Sequence, residues 1–245
     1  MDVTVLTIFP EVFEKTLDFS MIKIARESGA ASFNVVNIRD FAEDKHKTTD
    51  DVPFGGLEGM VMKIEPLYKA IESVKEKSIS EKRRFVLLSA SGTRLTQKKV
   101  EEYSHLDELV LICGRYEGVD ERVLNFIDEE ICIGDFVISG GEFAAMAVIE
   151  GVIRLLPGVL GNADSATNES FVHGILDYPH YTRPREFMGL NVPEVLTSGN
   201  HAEIKKWRRK QALRKTLGNR PELLENMELS KEDKIILDEL RSERS

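Results

Sequence analysis

The chain should fold as an α/β protein, a mostly parallel sheet layered with helices, followed by a small helical part. Three observations predict it. The strand-like segments near the start, such as residues 2–8, are near-continuous apolar runs, as strands buried on both faces are. The first elements read β-α-β, which favours parallel pairing. Beyond Tyr178-Pro179 and Arg183-Pro184 the composition turns charged and helical.

The totals fit that architecture. A length of 245 residues suits one large domain, or one large and one small. Apolar residues at 42% and charged residues at 31% are ordinary for a globular protein. No apolar run approaches a bilayer-spanning length, so no membrane partner is expected. The N-terminus lacks the basic region and the small-residue cleavage site of a secretory signal. Cys113 and Cys132 form no metal or disulfide pattern, and a reducing, cytoplasmic setting is expected. The formal net charge of −9 argues against indiscriminate binding to nucleic acid. Its distribution points elsewhere. Between His201 and Arg220 eight Lys and Arg residues face Glu203 alone.

In chain order, residues 2–8 form the first strand and Pro10 suits the first position of a helix. Ser20 is placed to cap its continuation, which stops at Gly29, and residues 31–38 form the second strand. Residues 39–59 are polar, then glycine-rich, without a period, and read as a long loop, either functional or a disordered connection. Pro66 opens a helix to about Lys77. Residues 85–88 make a short buried strand, residues 89–92 a turn, and Thr96 caps the next helix. Residues 108–112 are a strand ending at Cys113-Gly114, residues 120–127 a short helix, and residues 131–138 include a strand interrupted by Gly134. Residues 141–156 are helical up to Pro157-Gly158. The small, polar segment from Gly161 to Ser170 is the best linker. Asn200 with Glu203 resembles a capping box, Ile204, Trp207 and Gln211 share one helix face, and the tail from Pro221 is helical. The expected organisation is a sheet domain over residues 1–160, a linker over 161–171 and a helical domain over 172–245.

Common nucleotide fingerprints are missing: there is no G-x-x-x-x-G-K-[ST] loop and no G-x-G-x-x-G after the first strand. The five histidines show no metal-site spacing, and no protein metal site is expected. Cys113 at a strand end is either a nucleophile or a small buried residue, and the second reading is favoured. What remains is a turn-rich region at strand C-terminal ends, around residues 88–92, 114–118 and 133–141. Open α/β sheets bind ligands there, although turn glycines alone also account for it.

The segments C-G-R-Y-E-G-V-D-E-R-V, I-G-D-F-V-I-S-G-G-E, P-G-V-L-G, D-Y-P-H-Y-T-R-P and L-T-S-G-N-H-A-E-I-K-K-W-R sit in one order and spacing. Together they resemble the bacterial tRNA (guanine-N1)-methyltransferases of the SPOUT class. The resemblance covers nearly the whole chain. It implies a deep trefoil knot in the sheet domain, a small α-helical C-terminal domain that binds tRNA, and a homodimer with shared active sites. It also implies S-adenosyl-L-methionine as methyl donor, with possible magnesium assistance, and methylation of guanine N1 at tRNA position 37.

Carried over residue by residue, the resemblance makes Glu169 the base, where the family has aspartate. Asp164 is the second choice, and a solvated linker acid is the alternative reading. Arg154 would stabilise the guanine oxygen, or else satisfy helix-end carbonyls. The donor would lie on Leu87, Leu88, Ser89 and Ala90, on Gly114, Tyr116, Glu117 and Gly118, and on Ile133, Gly134, Asp135, Phe136, Val137, Ile138, Ser139, Gly140 and Gly141. Asp50, Lys205, Lys206, Arg208, Arg209 and Arg214 would meet tRNA. Leu57 stands where the family usually has a third loop glycine. Two rivals stay open: a related SPOUT enzyme acting on another RNA site, and a non-catalytic RNA-binding module of the same fold.

Overall fold

A computed structural model describes residues 1–56, 58–77, 80–161, 169–225 and 227–243. Leu57 and Asp164, both singled out above, lie outside the described residues. The chain divides into two compact units, Met1–Ala163 and Asp164–Ser245.

The first unit is built on five strands, β1 (Asp2–Thr7), β2 (Ser32–Asn37), β5 (Arg83–Arg94), β6 (Glu108–Cys113) and β7 (Glu129–Cys132), in the order β2-β1-β6-β5-β7. All four neighbouring pairs are parallel. The apolar runs have a direct cause: both faces of the sheet are covered. Val3, Val5, Val86, Leu88, Leu109, Leu111 and Ile131 pack on one side with Phe13 of α1 (Glu11–Thr16), Ile22 of α2 (Ser20–Glu27), Val100 of α4 (Gln97–Ser104) and Val148 of α5 (Glu142–Ile153). Leu6, Phe85, Leu87, Val110 and Ile112 pack on the other with Leu67 and Ile71 of α3 (Ile64–Lys75). Successive side chains alternate between the faces, so an apolar residue is needed at every position.

Several local expectations change. Ser20 is not a cap: it is the first residue of α2, with φ of 50°, behind Phe19, and no side-chain cap bond is made there. Helix α3 starts two residues before Pro66. Residues 120–127 form a 3-10 turn, Glu121–Phe126, whose Asp120 side chain accepts from the Arg122 amide. The apolar run after Ile131 leaves the sheet at Cys132, and residues 133–140 are irregular. The segment 89–92 is not a separating turn, because β5 runs on to Arg94. Its pairing to β7 slips between Leu88 and Thr93, both of which face Ile131. The slip presses Gly92 onto β7 so closely that a Cβ there would collide with the Ile131 backbone. The Thr96 cap is present, accepting from the Lys99 amide.

The long loop is folded back on itself. The Asp44 carboxylate accepts from the amides of His46 and Thr48, each at 2.9 Å. Short strands β3 (Asp50–Asp51) and β4 (Val61–Met62) pair antiparallel across it.

The second unit holds the exposed hairpin β8 (Glu186–Phe187) and β9 (Leu190–Asn191) and helices α6 (His201–Asn219), α7 (Glu222–Glu225) and α8 (Lys231–Ser242). Its core is small: Ile175, Ala212, Leu213, Leu224, Leu237 and Leu240. The side chain of Asn200 accepts from the Glu203 amide and starts α6, and a full capping box of Ser230 and Asp233 starts α8. The Thr216 hydroxyl donates to the Ala212 carbonyl at 2.8 Å and accepts from the Leu176 amide at 3.0 Å, which ties the entering chain to α6.

Candidate active site

Strands β5, β6 and β7 end side by side, and the chain leaving them encloses a cavity of about 380 Å³. It is lined by residues 87–91 from β5, 114–119 after β6, 130–134 from the end of β7, and 136–141 before α5, with Glu121, Leu124 and Ala144. The structure therefore brings together the three separated segments that the sequence singled out. Of the predicted lining residues, Asp135 is set apart: it does not line the cavity, and its carboxylate pairs with Arg94.

The walls combine three kinds of group. Leu87, Leu88, Ile131 and Ile133 are apolar. Val137 is 90% exposed and Phe136 56%, so the 136–141 segment presents bare apolar surface. Tight backbone contacts fix the loops. The Gly141 amide donates to the Gly114 carbonyl at 2.9 Å, and a Cβ on Gly141 would lie 2.8 Å from the Cys113 Cα. Only glycine permits that approach. Carboxylates of Glu117, Glu121 and Glu130 supply negative charge at the lining. The 116–119 wall is braced from the long loop: the Glu117 amide donates to the Met60 carbonyl at 3.0 Å, and the Met62 amide to the Gly118 carbonyl at 2.9 Å.

A buried charge network behind the wall was missed by the sequence argument. Glu142, only 1% exposed, accepts from the Thr7 hydroxyl at 2.8 Å and from Arg115 Nε at 3.0 Å. Arg115 also lies over the Phe9 ring, 4.4 Å from its centroid. The ends of β1 and β6 are thus tied to the first turn of α5, where the helix dipole favours an anion. Both Arg115 and Glu142 stand inside the quoted motifs, but nothing local marks them as partners. Cys113 is fully buried, and burial, with the Glu142 charge adding to it, pushes its thiol well above the usual range. That makes it a packing residue, since the thiolate is the reactive form.

Arg154 is the half-buried C-cap residue of α5. Glu169 belongs to the second unit, half-buried, with its carbonyl accepting from the Val172 amide at 3.4 Å. Asp50 is half-buried on β3, opposite Met62.

The cations of α6 divide into two kinds. Arg209 grips Asp233 with both arms, at 2.7 and 2.8 Å, and Asp233 is 5% exposed. Arg214 donates to Glu243 at 2.7 Å. These two side chains are engaged by carboxylates of α8 or its end, a role the charge count could not separate from RNA contact. Lys205, Lys206 and Arg208 are exposed. Lys206 reaches Glu203 at 3.2 Å, and the Arg208 guanidinium lies 4.9 Å from the Tyr178 ring centroid. No helix is long and apolar enough to cross a membrane among the described residues. Among the same residues no group of three or more His, Cys, Asp or Glu is placed to hold a metal ion.

Comparison with known proteins places this geometry. The family model described as tRNA (Guanine-1)-methyltransferase TrmD matches residues 1–226. A tRNA (guanine-N(1)-)-methyltransferase of Dictyoglomus turgidum is 52% identical over 241 residues, covering 98% of this chain and 97% of the relative. The protein of that name from Moorella thermoacetica is 52% identical over 241 residues, with 98% and 96% covered. That of Halalkalibacterium halodurans is 46% identical over 245 residues, with 100% and 99% covered. With its parallel sheet, its cavity at the strand ends and this match over nearly its full length, the chain belongs to the tRNA (guanine-1)-methyltransferase family.

Proposed function

We propose that the protein methylates guanine N1 at position 37 of tRNA, using S-adenosylmethionine. The observation that supports this most is that nearly full-length family match, together with a cavity at the ends of β5, β6 and β7 lined by glycine-rich segments. The residues present fit the donor. Backbone groups and apolar side chains of residues 133–141 suit an adenine ring, and Glu117 and Glu130 suit cationic amino and sulfonium groups. When bound, the donor supplies a methyl group activated on sulfur. The chain must do the rest. Guanine N1 carries a proton at neutral pH, and its removal loads negative charge on the neighbouring carbonyl oxygen. Glu169 is the proposed base that takes that proton. The Arg154 guanidinium is the proposed partner of the oxygen, a contribution of about 3 kcal/mol to the barrier when such a donor is held in place. Among the described residues no group of three or more His, Cys, Asp or Glu suits magnesium.

The first unit is read as the donor-binding domain and the second as the tRNA-binding domain; of the expected linker over residues 161–171, residues 162–168 lie outside the described residues. Lys205, Lys206 and Arg208 are the proposed phosphate contacts, and Asp50 a contact to the anticodon loop. A trefoil-knotted course of the chain, as the family resemblance implies, is part of the same proposal. Phe19 just before α2, Ile24 on α2 and Phe143 on α5 are exposed apolar side chains, which supports a homodimer.

The test is methyl transfer by the purified protein to a tRNA transcript carrying guanosine at position 37, read as 1-methylguanosine by mass spectrometry of the digest. Absence of transfer above a blank would favour a binding module, and a different methylated product a related enzyme. Arg154→Ala and Glu169→Ala are each expected to lower turnover about 100-fold or more while leaving donor affinity nearly intact.

A further inference from the structure

We propose that Tyr181, Trp207 and Arg208 form a stacking platform for one unpaired nucleobase of the RNA substrate, a proposal that rests on the RNA-directed function above. All three belong to the second unit. Residues 178–181 lie along the face of α6 that carries Trp207 and Arg208, and the contacts are specific. The Arg208 guanidinium sits over the Tyr178 ring at 4.9 Å, the His180 ring centroid is 4.7 Å from that of Tyr178, and His180 Nε2 is 2.8 Å from Asp177 Oδ2. Tyr178 is therefore covered, and its role is to hold Arg208 in place. Tyr181 is different. Its ring centroid is 6.3 Å from that of Trp207 at a tilt of 55°, yet 48% of the residue stays exposed.

Three features favour a base over other occupants. The buried residues of α6 are Ala212, Leu213 and Thr216, so the aromatic pair lies outside the stretch of helix that builds the core. The surroundings are strongly cationic, with Lys205, Lys206 and Arg208 all exposed, which suits a polyanion. The exposed Arg208 guanidinium, held over Tyr178, and the half-open Tyr181 ring beside Trp207 are both groups on which proteins stack unstacked bases. A duplex would offer phosphates but keep its base faces stacked inside, so the occupant is a base from a loop. Stacking of this kind tolerates any base, which makes it a positioning device and leaves the choice of target to the catalytic cavity.

Trp207 is the single tryptophan of the chain, so its fluorescence reports on this place alone. The full-length protein is titrated with a tRNA transcript, with a single-stranded oligonucleotide of the anticodon-loop sequence, and with a fully paired RNA duplex. Transcript and oligonucleotide should quench Trp207, and the duplex should not. Tyr181→Leu should weaken transcript binding about tenfold and raise KM with kcat unchanged, while Tyr181→Phe stays within about twofold of the wild type. Equal quenching by the duplex, or wild-type affinity in Tyr181→Leu, would overturn the platform. The quenching series uses wild-type protein, so it decides even if Tyr181→Leu fails to fold. If the quenching pattern holds but no 1-methylguanosine forms, the functional reading falls and the platform stands. If methylation holds and Tyr181→Leu binds normally, the platform alone falls.

Discussion

Replacing Glu142 by alanine tests whether the charge network behind the cavity shapes it. Glu142 is 1% exposed and is the shared acceptor for Thr7 and Arg115. Its loss strands both donors. Removing one partner of a buried ion pair costs about 3–5 kcal/mol. Here the lower end applies, about 3 kcal/mol, because the Arg115 side chain is 22% exposed and can turn to water in the cavity. For a chain of this size each kcal/mol lowers Tm by about 2–4 °C, so the expected fall is about 6–12 °C. The donor site should suffer as well. Arg115 bridges to Gly140, and the Gly141 amide is bonded to the Gly114 carbonyl, so a loosened Arg115 frees two walls at once. Thermal melts with and without S-adenosylmethionine, and calorimetric titration of the donor, measure both effects. Glu142→Gln keeps the volume and one acceptor oxygen and should fall between alanine and wild type. An alanine variant that melts within about 2 °C of wild type and binds donor normally would show that the network is incidental, against the cost expected for a broken buried pair.

Other perturbations separate structural from functional charge. Arg209→Ala should destabilise the protein by about 3 kcal/mol at neutral pH, since it leaves the buried Asp233 charge without a cation, its carboxylate held by the Ser230 amide. The hydrogen bonds from Arg209 hold the Asp233 carboxyl below the usual carboxylate range. The stabilisation is therefore complete at neutral pH and drains as pH falls through the depressed value. The gap between variant and wild type in melts should close in strong acid; a gap independent of pH would contradict the pair's role. Lys205→Glu with Lys206→Glu should instead leave stability within about 0.5 kcal/mol, weaken tRNA binding and flatten its salt dependence by about two ions' worth. An unchanged salt slope would assign those lysines to solvent. Gly92→Ala should block folding or cost about 3 kcal/mol or more, since its Cβ meets the Ile131 backbone, whereas Gly161→Ala meets open space and should be neutral in the same melts.

Much of this protein is readable from its chain alone, and the readable parts share a cause. Buried strands announce themselves through unbroken apolar runs, and Thr96 and Asn200 act on amides three residues away. Signals of that reach survive in one dimension. The five quoted segments also pointed to a family, because their order and spacing along the chain resemble it. What tertiary structure decided is everything that depends on which distant segment arrives next door. Residues 89–92 carry the composition of a turn, yet pairing with β7 on both sides keeps them within β5. Thr7 and Glu142 are 135 residues apart and meet only because β1 lies beside β6 and α5 starts at their ends. Arg209 and Lys205 are indistinguishable as charges in a basic run. Only the packing of α8 against α6 takes Arg209 for a buried carboxylate, because a side chain's role follows from its neighbours in space.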